Sequence, residues 1–217
     1  EIKKLYGIGT GPGAADLITV RSARLIENAD VIFAPNNKGK NVALDTVREY
    51  IKTENIVYLD FPMGKVGPEI YKKNLEIIHE NLSDESFGVF LTIGDAAIYS
   101  TFINTLYFDE EISFEMSPGI PSFLAAADFA GVPLATKGKN FLLTDDIENA
   151  NLEFVDRIAI LKTYKNKKEV IEKLEAHNFS YIYLENVSAK DELILRDKEE
   201  ILERENYMSL MIGWRNE

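Results

Sequence analysis

The sequence contains no cysteine, which removes disulfides, thiolate-held zinc, iron–sulfur clusters and a cysteine nucleophile from consideration. Histidine is almost as scarce. His79 and His177 are the two present, each on an expected helix with no partner motif, so the spacing shows neither a nucleophilic triad nor a metal site. Basic residues are outnumbered: 24 Lys and Arg stand against 36 Asp and Glu, a net charge of -12. A field of that sign opposes a phosphate backbone, and no nucleic-acid partner is expected. Local charge can still favour a small anionic ligand. No apolar run reaches the ~18–20 residues that a membrane-spanning helix needs, so no membrane partner is expected. The opening Glu1-Ile2-Lys3-Lys4-Leu5-Tyr6 leads into a strand pattern instead of a charged region followed by an apolar one, so no secretory leader is expected. With the missing cysteines, this fits a cytoplasmic protein.

What is present describes a folded chain. Its 217 residues are 46% hydrophobic and include 12 Phe, 10 Tyr and 1 Trp, far more aromatic surface than a disordered segment carries. At roughly 100–200 residues per domain, the length allows one large domain or two small ones. The first half alternates strand and helix signals. Strands are expected at Leu5–Gly9, Val31–Ala34 (stopped by Pro35), Ile56–Leu59, Gly88–Ile93 and Ile112–Met116. Helices are expected at Ile18–Asn28, Ala43–Lys52, Glu69–Leu82 and Ile98–Tyr107. Near-continuous apolar strands separated by helices predict an α/β fold, with a mainly parallel sheet covered by helices on both faces. The second half is mixed α+β. A small-residue helix at Ser122–Ala130 precedes strands at Asn140–Leu143, Ile158–Lys162, Tyr181–Glu185 and Ser209–Trp214, with a helix at Lys167–His177. The expected domains are 1–115 and 116–217. No Gly/Ser-rich linker separates them, so a shared interface is expected, a usual place for a small ligand. The acidic runs Asp109-Glu110-Glu111 and Asp145-Asp146 read as solvated loops.

Three segments follow the carboxyl ends of expected strands, where open α/β sheets bind ligands. Gly7-Ile-Gly-Thr-Gly-Pro-Gly13 lets a backbone turn tightly and approach a ligand. Its spacing spoils a dinucleotide fingerprint, it lacks the Gly-Lys-Ser/Thr of a phosphate loop, and a purely structural turn explains it equally well. In Leu91-Thr-Ile-Gly-Asp-Ala-Ala-Ile-Tyr-Ser-Thr-Phe102, Asp95 is either a ligand partner or a helix cap. In Ser117-Pro-Gly-Ile-Pro-Ser-Phe-Leu-Ala-Ala-Ala127, prolines stiffen a loop and Ser122 opens a helix, again as a ligand contact or as a cap.

In order and spacing, these segments resemble the tetrapyrrole (corrin/porphyrin) methylase family. Asp16-Leu-Ile-Thr-Val-Arg-Ser-Ala, Ala29-Asp-Val-Ile-Phe-Ala-Pro and Gly131-Val-Pro-Leu extend the resemblance over essentially the whole chain. Thr92-Ile-Gly-Asp followed by Tyr99-Ser-Thr-Phe is most similar to the precorrin-2/cobalt-factor-II C20-methyltransferases of cobalamin biosynthesis. The resemblance implies a two-domain fold, usually a homodimer, with S-adenosylmethionine as cofactor and a tetrapyrrole as substrate. Carried over residue by residue, it implies that Pro12 lines the ligand cleft and that Ile93, Gly94 and Asp95 hold the methionine part of the cofactor, with Ile98 as an apolar contact. It further implies that Pro121 and Ser122 touch the cofactor, that Leu161 lies on the adenine side and that the Val187 backbone meets the adenine. Two departures stand out. Ala14-Ala15 replaces the family's Asp-Pro, and Ala96 replaces a proline after Gly-Asp. The first removes a carboxylate that orients substrate in some branches.

Methyl transfer to an electron-rich ring carbon is an in-line displacement in which the tetrapyrrole supplies the nucleophile. Catalysis by proximity is therefore expected, with no named general base and no protein-held metal. The substrate's carboxylates conflict with the net charge, and Lys38, Lys40, Lys137 and Lys139 are the candidates to meet them, with Tyr99 as a further substrate contact. Their alternative is ordinary solvated loop lysines. Two other readings remain: another branch of the same family, such as uroporphyrinogen-III or diphthamide-pathway methylation, and a cofactor-binding protein without turnover, suggested by Ala14, Ala15 and Ala96. A nicotinamide oxidoreductase is set aside, because Asp30 precedes its strand instead of ending it.

Overall fold

A computed structural model describes residues 3–62, 66–107 and 109–217. Glu1 and Ile2, which precede the expected first strand, lie outside the described residues. Packing divides the chain into two compact units, Glu1–Pro121 and Ser122–Glu217.

The first unit is a five-stranded sheet of β1 (Lys3–Gly9), β2 (Val31–Asn36), β3 (Ile56–Asp60), β4 (Phe87–Thr92) and β5 (Ile112–Ser117). The order is β3-β2-β4-β1-β5 and every pairing is parallel. Side-chain alternation splits the apolar strands between two cores. Leu5, Phe33 and Phe90 pack with Ile78 of α3 (Pro68–Asn81) and with Phe102 and Leu106 of α4 (Thr101–Leu106). Ile8, Ile32, Val89 and Leu91 pack with Ile26 of α1 (Val20–Asn28) and with Ala43, Leu44 and Val47 of α2 (Val42–Val47). The sheet is thus covered by helices on both faces, the expected α/β arrangement.

Local departures have local causes. Pro35 does not stop β2: the strand runs on to Asn36 and pairs with β3 there. Pairing of β2 with β4 ends at Phe33, so on that side no ladder bond is lost to the missing N–H of Pro35. The helix expected from Ile98 starts at Thr101, because the Ser100 hydroxyl caps it by accepting from the Ile103 N–H at 3.4 Å. The helix expected at Ala43–Lys52 is α2 followed by a 3₁₀ turn at Arg48–Tyr50. Asp109 is not a solvated loop residue. Its side chain is 7% exposed, accepts from the Ile112 N–H at 2.7 Å and contacts His79 Nε2 at 2.8 Å.

The second unit pairs five strands in the order β6-β7-β10-β8-β9: β6 (Phe141–Thr144), β7 (Arg157–Leu161), β8 (Phe179–Glu185), β9 (Leu193–Leu195) and β10 (Ser209–Arg215). Only β6 and β7 are parallel. Its helices are α5 (Ser122–Ala130), α6 (Lys167–Ala176) and α7 (Lys198–Leu202). Val170, Ile171 and Leu174 of α6 pack on Ile158, Ile160, Tyr183 and Met211. Neither β9 nor α7 is expected from the pattern, since three and five residues are too short to show a period.

Candidate functional site

In a parallel sheet all carboxyl ends lie along one edge. The loops after β4, β1 and β5 therefore emerge side by side in the first unit. They touch through backbone. Gly11 and Gly94 form an isolated antiparallel bridge, with Gly94 N–H donating to Gly11 O at 2.8 Å and Gly11 N–H donating to Gly94 O at 3.2 Å. Thr10 N–H donates to Thr92 O at 2.8 Å. A β-carbon built on Gly9 would sit 2.6 Å from Gly94 O and 2.7 Å from Gly119 N. Gly9 is needed for this close approach of three segments, and Gly94 adopts a φ of +71° besides.

Asp95 fastens the second loop to the third. Its Oδ1 accepts from the Ala97 N–H at 2.8 Å and its Oδ2 from the Gly119 N–H at 2.9 Å. Both carboxylate oxygens are engaged by backbone, and the cap of α4 is Ser100. The third loop is held from α1. Ser22 Oγ and Ser117 Oγ are 2.7 Å apart and both residues are buried, while Thr19, the α1 cap, also reaches Pro118 O at 3.3 Å. Sequence reasoning missed Thr19, Ser22 and Ser117. The Thr19-Val-Arg-Ser22 run is a readable cap signal, but the partner 95 residues away is not.

The expected site residues fall as follows. Pro12 is buried, and Ile93 is 37% exposed just past β4. Gly94 is buried, and Asp95 and Ile98 are half-buried beyond it. Tyr99 is 52% exposed with a φ of +46°, left-handed backbone that few side-chain-bearing residues adopt. Ala96, at the family's proline position, is 1% exposed and joins the core around Phe90 and Phe102. Ala14 precedes a 3₁₀ turn at Ala15–Leu17, and the Tyr50 hydroxyl donates to Ala15 O at 3.1 Å. Lys38 and Lys40 occupy an exposed turn after β2, on the same sheet edge as the three loops, with Lys38 at a φ of +48°. Pro121 ends the first unit, half-buried.

In the second unit, Ser122 is the first residue of α5 and is half-buried. Leu161 ends β7, and Val187 follows β8 in a turn. Both strands flank β10 and point the same way, so the two residues share one end of the sheet. Lys137 and Lys139 lie in an exposed turn before β6. Because β6 is parallel to β7, that turn is at the opposite end from Leu161.

Each histidine sits at the strand-start end of its own sheet. His79 is on the last turn of α3 beside Asp109, at the edge of the first sheet where strands begin. His177 follows α6, and its Nδ1 lies 2.8 Å from Lys173 O. Among the described residues, no group of three His, Asp or Glu side chains is placed to hold a metal ion.

A family model for Tetrapyrrole (Corrin/Porphyrin) Methylases matches residues 4–203. A probable cobalt-precorrin-2 C(20)-methyltransferase of Methanocaldococcus jannaschii is 30% identical, the match covering 97% of this chain and 96% of that protein. A cobalt-precorrin-2 C(20)-methyltransferase of Salmonella typhimurium is 34% identical over 74% of this chain and 73% of its own length. Among solved structures, the uroporphyrin-III C-methyl transferase of Thermus thermophilus complexed with S-adenyl homocysteine superposes with a TM-score of 0.72 at 19% identity, covering 97% of both chains. At that identity the likeness speaks for the fold.

Proposed function

The chain belongs to the tetrapyrrole (corrin/porphyrin) methylase family, and from that membership we propose that it is an S-adenosylmethionine-dependent methyltransferase acting at C20 of precorrin-2 or its cobalt form, in cobalamin biosynthesis. The observation that carries this reading is the near end-to-end match to a relative named for that reaction. A homodimer in the cytoplasm completes the proposal.

The residues of the loop edge fit the cofactor. Segments 9–13, 93–99 and 117–121 contain no lysine or arginine. Their one charged side chain is Asp95, so nothing there repels a sulfonium cation, and an adjacent carboxylate favours it. Ile93 and Ile98 offer apolar surface beside that carboxylate. S-adenosylmethionine, when bound, supplies an electrophilic methyl group. In this proposal Ile93, Gly94, Asp95 and Ile98 hold its methionine part, Pro12, Pro121 and Ser122 are further contacts, and Leu161 and Val187 serve the adenine. The protein's task is orientation, because the substrate's own ring carbon is the nucleophile. Asp95 then acts twice, as a negative charge and as the clip that keeps the Gly94 and Gly119 loops together. The left-handed, exposed Tyr99 supports a substrate contact, since strained backbone is kept where surrounding structure or function demands it.

Calorimetric titration with S-adenosylhomocysteine tests the cofactor reading, with micromolar binding at about one site per chain expected, as is usual for small-molecule sites. Incubation with precorrin-2, cobalt-factor II and uroporphyrinogen III then tests the branch. One added methyl on either of the first two supports it, and methylation of uroporphyrinogen III alone overturns it. Absence of cofactor binding would favour a protein without turnover.

For the substrate's carboxylates we propose Lys38, Lys40, Lys137 and Lys139. Support is stronger for the first pair, which shares the edge of the three loops. Changing Lys38 and Lys40 to Ala is expected to raise the substrate KM about tenfold with little change in kcat, as two lost charge-assisted contacts would. Changing Lys137 and Lys139 measures the second pair separately. An unchanged KM in the fourfold variant would remove the lysines from the site.

A further inference from the structure

The second unit contains a polar network around a buried carboxylate that none of the proposed ligand contacts uses. Glu185, the last residue of β8, is 1% exposed. Arg204 Nε donates to its Oε1 at 2.8 Å and Nη2 to its Oε2 at 2.9 Å. The Tyr183 hydroxyl, two residues earlier on the same strand face, donates to Oε1 at 3.1 Å. Ser209 pairs with Glu185 across β8 and β10, and its hydroxyl lies 3.2 Å from that of Thr163. Tyr183, Ser209 and Thr163 are all buried. The Arg204 guanidinium holds the Glu185 carboxyl below the usual carboxylate range. Burial pushes the Tyr183 hydroxyl up to about 12. At neutral pH the carboxylate is therefore charged and the phenol is a donor.

A buried carboxylate is costly unless it is paired, and the Arg204 side chain that pairs with Glu185 is itself 46% exposed, so this pair joins the interior end of β8 to a surface segment. Asn186 and Ser188 both take left-handed backbone, at φ +49° and +69°, which asparagine tolerates and serine adopts rarely. The turn is fastened along its length. Asn186 N–H donates to Met208 O at 3.0 Å, Asn186 Nδ2 to Asp191 Oδ2 at 3.0 Å, and Ser188 N–H to Glu192 Oε2 at 2.6 Å. Met208 belongs to the connection from α7 to β10, and Arg204, in the same connection, is what ties it to Glu185. Val187 is held at the centre of this turn and is 6% exposed.

We propose that Glu185 and Arg204 are positioning residues for adenine recognition: their ion pair fixes the α7–β10 connection against the end of β8, and with it the left-handed turn that presents the Val187 backbone. This inference rests on the cofactor reading above. A fixed backbone edge offers a base one order of donors and acceptors, and hypoxanthine reverses that order at N1 and at the 6-position. A rigid turn therefore discriminates between the two bases, and a loosened turn does not.

The test is calorimetric titration of S-adenosylhomocysteine and S-inosylhomocysteine into the wild-type chain and the variants Arg204→Ala, Arg204→Lys and Glu185→Gln, with circular dichroism melting of each. The wild type is expected to prefer the adenine ligand by about tenfold or more, in line with discrimination by buried hydrogen bonds. Arg204→Ala and Glu185→Gln are expected to weaken S-adenosylhomocysteine about tenfold and bring the two ligands within ~3-fold of each other, with Arg204→Lys recovering part of the preference. A wild type that fails to bind S-adenosylhomocysteine overturns the cofactor reading itself. A wild type that binds without preference, or variants that keep it, overturn the positioning role alone. So does an equal loss for both ligands, which is what damage to the fold would produce. Should Arg204→Ala fail to fold, Arg204→Lys and Glu185→Gln decide.

Discussion

Gly119→Ala is expected to lower the stability of the protein by about 3 kcal/mol or more, the upper range for forcing atoms into filled space. It is also expected to weaken S-adenosylhomocysteine binding by more than about tenfold, the cost of a small misplacement in an oriented site. The added methyl group would overlap Gly94 O and stand 2.7 Å from both the carbonyl carbon and the Cα of Gly9. These neighbours are backbone on β1 and after β4, so none can swing aside as a side-chain tip could. The β5 loop would have to withdraw, which breaks the bond from Gly119 N–H to Asp95 at 2.9 Å and frees the Asp95 carboxylate. Gly119 has no left-handed φ, so the effect is one of space and not of backbone preference. Gly67→Ala is the control. Among the described residues nothing lies within 4 Å of the added atom, and Gly67 is the N-cap of α3, so the change should cost less than about 1 kcal/mol. Urea unfolding of both variants checks the difference. Equal midpoints for Gly119→Ala and the wild type would mean that the three loops do not meet.

Arg215→Ala should be comparably severe in the second unit, at about 3 kcal/mol, since each buried carbonyl left without a donor costs on the order of 1 kcal/mol and a ring contact is lost as well. The guanidinium serves three separated carbonyls. Nη1 donates to His177 O at 2.8 Å, Nε to Val155 O at 3.1 Å, and Nη2 to Val155 O and Leu152 O. Its plane lies over Phe179, 4.6 Å from the ring centroid. One planar fork thus ties the end of β10 to the loop before β7 and to the turn between α6 and β8. A lysine can reach only part of this set, because a compact ammonium lacks the spread of donors. Arg215→Lys should therefore recover about half of the loss, read as the shift in thermal midpoint. A loss within ~0.5 kcal/mol for Arg215→Ala would place this arginine among ordinary surface residues.

Much of the first unit is legible in the sequence. Val31–Ala34 and Gly88–Leu91 are apolar on both faces, and only a strand buried between helices needs that. Elements of nine residues or more carry a visible period, as the match at Ser122–Ala130 shows. Loop chemistry is legible too: glycines and prolines after strand ends, in that order, are enough for the family resemblance. Leu193–Leu195 is not, because it exists by pairing with β8, and Lys198–Leu202, although capped by Asp197, is too short to show a period.

The sequence by itself determined the layered α/β first half, the glycine- and proline-rich loops at its strand ends and the kinship with tetrapyrrole methylases, because hydrophobic period and turn residues act on near neighbours. Tertiary structure alone decided what the charged side chains do. Asp95 closes on a backbone N–H 24 residues away, Asp109 turns inward to His79, Glu185 takes Arg204, and Lys137 and Lys139 fall at the far end of their sheet. A carboxylate's partner depends on which segments the fold brings within ~3 Å of it, and no pattern along the chain encodes that distance.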